Sequence, residues 1–85
     1  MKQLKEFVAK ENAFAAILGQ RLLDLTDPVD RQEIANCIDS ALSPENLSCD
    51  GELSRAETTR RYNALTKAAE QLLKLDPSIR FYEYA

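Results

Sequence analysis

The residues of this chain with chemistry to offer are carboxylates and two thiols. The 85 residues include no histidine, so the commonest general base is missing and neither Cys37 nor Cys49 has an imidazole to activate it. Asp24, Asp27 and Asp30 recur every three residues, close enough in sequence to suggest paired acid and base work. They straddle a helix break, however, and two have structural posts ready, Asp27 as an N-cap and Asp30 as a first-turn acid. Asp50-Gly51-Glu52 has the flavour of a calcium loop but lacks the alternating oxygen ligands and the closing glutamate. Two cysteines without histidine do not build the usual zinc site, and no glycine-rich stretch precedes a helix to cradle phosphate. The residue types therefore predict no enzyme, no cofactor and no metal.

Charge is distributed in a way that points to binding. The net charge is −3, yet residues 24–53 carry eight acids (Asp24, Asp27, Asp30, Glu33, Asp39, Glu45, Asp50, Glu52) against the single base Arg31. The flanking thirds are mildly basic. This acidic block either attracts the helices around it or faces a basic partner. Glu33, Asp39 and Glu45 are the acids expected to meet such a partner. Arg55, Arg60 and Arg61 cluster where a third helix begins, against the helix dipole. A helix-turn-helix needs a turn of three or four residues, and the gap before that helix is about three times as long. With an acidic chain overall, direct nucleic-acid contact is not expected. The arginines are expected to pair with the acidic middle or to stay solvated.

The elements that must position these groups are helices. Asp27-Pro28-Val29-Asp30 supplies an N-cap, a proline at the first helical position and an early acid; Ser54-Arg55-Ala56-Glu57 is a capping box. The first helix is predicted over residues 2–25, where Leu4, Val8, Ala15, Leu18, Leu22 and Leu25 follow a 4-3 repeat. Phe7, Phe14 and Ile17 widen that stripe, and Gly19 inside it suggests a close helix approach or a slight bend. The second helix is predicted over 28–42, with Ile34, Cys37, Ile38, Ala41 and Leu42 inward and Asp30, Arg31, Glu33 and Asp39 on the wet side. Ser43-Pro44 can start one extra turn, and an irregular stretch anchored by Leu47 and Leu53 follows. The third helix is predicted to end at Leu75, before Asp76-Pro77, with Tyr62, Leu65, Ala69 and Leu72 as its seam. The expected fold is all-α: a single domain over residues 1–85, a small three-helix bundle in the order long-short-long with an aromatic C-terminal tail. The caps and Leu-Ala seams are generic to helical bundles and carry no family information.

Ile79, Phe81, Tyr82 and Tyr84 crowd the tail with apolar surface. Either it folds back over the bundle or it is presented to a partner, and Phe81, Tyr82 and Tyr84 are the candidate contacts. The broad stripe through Phe7, Phe14, Ile17 and Leu18, on a chain with a small core, predicts a homodimer. No apolar run approaches the ~20 residues that span a bilayer, and nothing resembles a signal peptide. The expected setting is the cytoplasm, with Cys37 and Cys49 reduced, although a bridge between them stays open at this level. These features predict a non-enzymatic protein-interaction or regulatory module. The alternative is an acidic inhibitor that occupies a basic nucleic-acid-binding surface on its target.

Overall fold

A computed structural model describes residues 1–82 of the chain. Four helices follow one another: α1 (Lys2–Ile17), α2 (Pro28–Ala41), the single turn α3 (Pro44–Leu47) and α4 (Arg55–Leu75). Strands are absent among the described residues. α4 is the spine. α1 and α2 both pack against it and scarcely touch each other. The core is made by Leu4 and Val8 from α1, Ile34, Ala35 and Ile38 from α2, and Ala68, Ala69 and Leu72 from α4, closed by Ile79 and Phe81. Fully burying a side chain such as Ile34, Ile38 or Leu72 contributes about 1.5–3 kcal/mol.

The helix starts are local chemistry. The Asp27 carboxylate accepts from the Val29 N–H at 2.9 Å, with Pro28 at the first helical position. At α4 the capping box closes in both directions: Ser54 Oγ accepts from the Glu57 N–H, and Glu57 Oε1 accepts from the Ser54 N–H, each at 3.1 Å. Ser43 precedes α3 without a side-chain cap; its hydroxyl donates back to the Ser40 carbonyl instead. The start of α1 has no cap of its own. Gln71 of α4 supplies the acceptor, taking the Leu4 N–H at 2.9 Å, which satisfies one of the orphan donors of a helix N-terminus.

The first helix is shorter than its apolar repeat implies. It stops at Ile17, eight residues before Leu25, so α1 and α2 are of similar length. Gly19, at φ +69°, is neither a bend nor a close approach. It is the left-handed residue of a Schellman motif, in which the Gln20 N–H returns to the Ala15 carbonyl (2.8 Å) and the Gly19 N–H to Ala16 (3.2 Å). Beyond it the chain is extended and pinned. Asn12 clamps Leu23 from both sides, its Oδ1 accepting from the Leu23 N–H at 2.7 Å and its Nδ2 donating to the Leu23 carbonyl at 2.9 Å. Leu23 and Leu25 reach the core edge, while Leu18 and Leu22 stay about half exposed.

Two acids and a base expected on the wet side lie inside. Asp30 is 1% exposed and Asp39 6%. Arg31 is half-buried, donates to the Leu25 carbonyl at 2.7 Å and pairs with Asp76 at 3.5 Å, tying the α1–α2 connection to the end of α4. Tyr62, expected in the α4 seam, is 50% exposed; the seam starts at Leu65.

The tail returns across α2. Asp76 caps the turn by accepting from the Ser78 N–H and hydroxyl, and Ile79 and Phe81 then point inward at 7% exposure each. Gln32 clamps Arg80 as Asn12 clamps Leu23, with its amide oxygen on the Arg80 N–H (3.1 Å) and its amide nitrogen on the carbonyl (2.9 Å). Asp39 Oδ2 accepts from the Tyr82 N–H at 2.8 Å. The extended segment therefore buries alternate side chains and has its backbone held by side chains of a helix.

Candidate protein-interaction surface

The carboxylates spaced three residues apart, Asp24, Asp27 and Asp30, are committed to the fold. Asp30 accepts from both guanidinium nitrogens of Arg21 and from the Asp24 N–H (2.9 Å). The Arg21 guanidinium first, and that N–H second, hold its carboxyl below the ordinary value. Asp24 is likewise lowered by the Thr26 N–H and hydroxyl, and Asp27 caps α2. The carboxylates spaced three apart thus belong to one turn yet form no facing pair. Cys37 and Cys49 are free thiols. Burial pushes the Cys37 thiol up, and the negative charges of Glu11 and Glu33 push it further, which disfavours the nucleophilic thiolate. Among the described residues, no three His, Cys, Asp or Glu side chains gather as a metal site. Among the same residues no helix is long and apolar enough to cross a membrane.

The arginines at the start of α4 divide. Arg61 donates to the carbonyls of Leu47 (3.1 Å) and Asn46 (3.2 Å), so its partners are backbone at the end of α3 rather than the carboxylates of the acidic middle. Arg55 and Arg60 are exposed.

The candidate partner residues are scattered. Glu33 and Glu45 are exposed on α2 and α3. Asp39 is buried beneath the tail and holds Tyr82 in place. Phe81 is a core residue, Tyr82 is 80% exposed, and Tyr84 lies outside the described residues. The fold-back reading of the tail holds for Ile79 and Phe81.

What the fold leaves uncovered is a face of α1. Because α1 and α2 pack on α4 and scarcely on each other, three adjoining depressions of about 210, 300 and 370 Å³ open beside α1, and Glu11 lines all three. Phe7, Phe14, Ala15, Leu23 and Leu65 give the trough apolar walls. At its end the surface continues as a ridge, with Phe14 62% exposed, Ile17 80% and Leu18 54%. Three large side chains at those exposures leave on the order of 400 Å² of apolar area in water, as much as a whole monomer usually presents in its largest patch. Glu6, Glu11 and Lys10 edge the trough on α1, and Glu33 edges it on α2. Among the described residues, none of these four has an ion-pair partner. Arg21 and Arg61, which also line it, are held by Asp30 and by the α3 carbonyls. The stripe through Phe7, Phe14, Ile17 and Leu18 was legible as surplus apolar surface; the polar rim of Glu6, Lys10 and Glu11 was not. For Lys10 and Glu11 the sequence signal is their spacing of three or four from Phe7 and Phe14; Glu6 has no such spacing.

No family model matches the chain, and no curated protein or solved structure matches it either.

Proposed function

We propose that this chain is a non-enzymatic protein-interaction and regulatory module of the cytoplasm, which acts by binding a protein partner through the trough and ridge of α1. The observation that carries the reading is Ile17, an 80% exposed isoleucine beside exposed Phe14 and Leu18 and a trough edged by charged side chains. An apolar centre with a polar rim is the usual anatomy of a protein interface. The commitment of the carboxylates to caps and clamps, and the raised Cys37 thiol, support binding over turnover. Affinity capture with the wild-type chain and with Phe14→Asp tests it. A protein retained by the wild type and lost by the variant, at equal melting temperature, is the expected result. Equal retention by both overturns the assignment of this face.

A second reading is favoured by a separate observation: Glu33, Glu45, Asp50 and Glu52 are all exposed, and none forms an ion pair with the described residues. They suit an acidic inhibitor that occupies a basic nucleic-acid-binding surface. Reversing Glu45 and Glu52, which lie off the trough, to lysine then slows association and removes its salt dependence. Under the first reading the same change leaves both nearly as they were.

A further inference from the structure

We infer that the partner of the α1 face is a basic segment of another protein, which sets an arginine or lysine in the depression between Glu11 and Glu33 and lays apolar side chains on the ridge of Phe14, Ile17 and Leu18. The inference rests on the reading of that face as an interaction surface and goes further by naming the chemistry of its occupant.

The three depressions differ in charge. In the one between α1 and α4, Glu6 and Glu11 meet Lys10 and Arg61, and the signs balance. In the one that reaches α3, Glu11 meets Arg61, which is held by the α3 carbonyls. Between α1 and α2 there is no such balance. Glu11 and Glu33 stand there with Arg21, whose charge is already matched by buried Asp30 and favoured further by Asp27 and Asp24. Two carboxylates are left over. Among the described residues neither accepts a hydrogen bond or forms an ion pair. Glu11 is half-buried, where an opposite charge gains more than it does in open water. Both act on one spot: after burial itself, their charges raise the Cys37 thiol that lines the same depression.

The walls select the rest of the ligand. Phe14 and Leu23 line this depression, and Phe14 continues into the exposed ridge of Ile17 and Leu18. A long cationic side chain answers that combination. Its methylene stem covers apolar surface while its head reaches the carboxylates, and the Phe14 ring adds cation–π attraction. Apolar neighbours of that cation on the partner then cover Ile17 and Leu18. A nucleic acid or an anionic membrane brings phosphates against Glu11 and Glu33 instead, and a polyamine answers the carboxylates but leaves the ridge bare.

Fluorescence anisotropy of the full chain with two labelled peptides tests the inference. Both are amphipathic helices of about four turns with leucine at every third or fourth position; one carries arginine at its charged positions and the other glutamate. The basic peptide should bind the wild type with a Kd on the order of tens of micromolar, as suits a contact below about 1,200 Å², and the acidic one about tenfold more weakly or worse. Glu11→Gln and Glu33→Gln should each weaken the basic peptide about fivefold. Glu45→Gln, off the trough, should leave it unchanged, and Glu33→Arg should narrow the gap between the two peptides. Equal affinity for both peptides, binding of neither, or equal losses at Glu33 and Glu45 overturns the inference. A chain that dimerises alone and sheds the peptide as it does so gives the face to a second copy and overturns it too. The broader reading fails by a different result: Phe14→Asp and Ile17→Asp leaving partner capture unchanged.

Discussion

The α1–α2 connection and the C-terminal tail are built alike and end differently. Each is an extended segment laid on the bundle, and each has a residue whose N–H and carbonyl are both held by one side-chain amide, Asn12 for Leu23 and Gln32 for Arg80. Each also has a backbone N–H on a buried aspartate, Asp30 for Asp24 and Asp39 for Tyr82. The tail seals the core with Ile79 and Phe81. The connection brings only Leu23 and Leu25 to the core edge and leaves Leu18 and Leu22 outside, next to exposed Phe14 and Ile17. The same clamping chemistry thus closes one side of the bundle and leaves the other open. The open side is where a partner has something to cover.

Phe81→Ala should break the closed side with the largest effect. Removing a buried phenylalanine costs about 3–5 kcal/mol, and a domain of this size loses about 4–8 °C of melting temperature per kcal/mol. Thermal unfolding at fixed concentration checks it; a shift of only a few degrees would place Phe81 outside the core.

Acid acts next, because it loosens both regions at once. Asp24 and Asp30 in the connection, Asp76 at the root of the tail and Glu57 in the α4 capping box are all lowered in the fold by hydrogen bonds from Thr26, Arg21, Ser78 and Ser54 respectively. In the unfolded chain these groups take up protons at higher pH than in the folded one. Their stabilisation is complete above the ordinary carboxylate values of 3.8 for aspartate and 4.5 for glutamate, and it is lost as pH falls below them. Urea midpoints should therefore hold near neutrality and drop steeply under acid. Asp30→Asn should flatten that drop, and an unchanged slope would remove Asp30 from the account.

Asn12→Ala should cost about 1–2 kcal/mol, since it leaves the Leu23 N–H and carbonyl without their partner. Gln32→Ala, whose bonds are exposed, should cost less; the reverse order would mean that the tail clamp is the stronger one. Gly19→Ala should cost about 1 kcal/mol through left-handed strain alone, because no atom lies within 4 Å of an added Cβ. No loss at this position would mean that α1 does not stop there.

Local signals were legible in the sequence and distant ones were not. Asp27, Pro28, Ser54 and Glu57 act within one turn of themselves, so their spacing placed two helix starts. The paired inward residues of the tail, Ile79 and Phe81, were visible as surplus apolar surface. The end of α1 was obscured because Leu18, Leu22 and Leu25 continue the helical repeat past Ile17, and the left-handed turn at Gly19 outweighs them. Burial of Asp30 depends on Arg21 nine positions away across a non-helical turn, and burial of Asp39 on Tyr82, 43 positions away. Nothing in the neighbourhood of either aspartate announces such a partner. The open face was legible as apolar excess on Phe14, Ile17 and Leu18; that it edges a trough depends on α1 and α2 packing on α4 rather than on each other.

The most direct test of an open, partner-facing α1 is the unfolding midpoint of wild type and Ile17→Asp, each measured over a wide range of concentrations of the basic peptide. Binding that covers this face makes the wild-type midpoint rise with concentration, by mass action. The account predicts that rise in the wild type, a flat line for Ile17→Asp, and coincidence of the two to within about 0.5 kcal/mol at the lowest concentration, as for an exposed position. A variant midpoint well below the wild type at every concentration would show that Ile17 belongs to the core, and two parallel rising lines would show that the partner docks elsewhere.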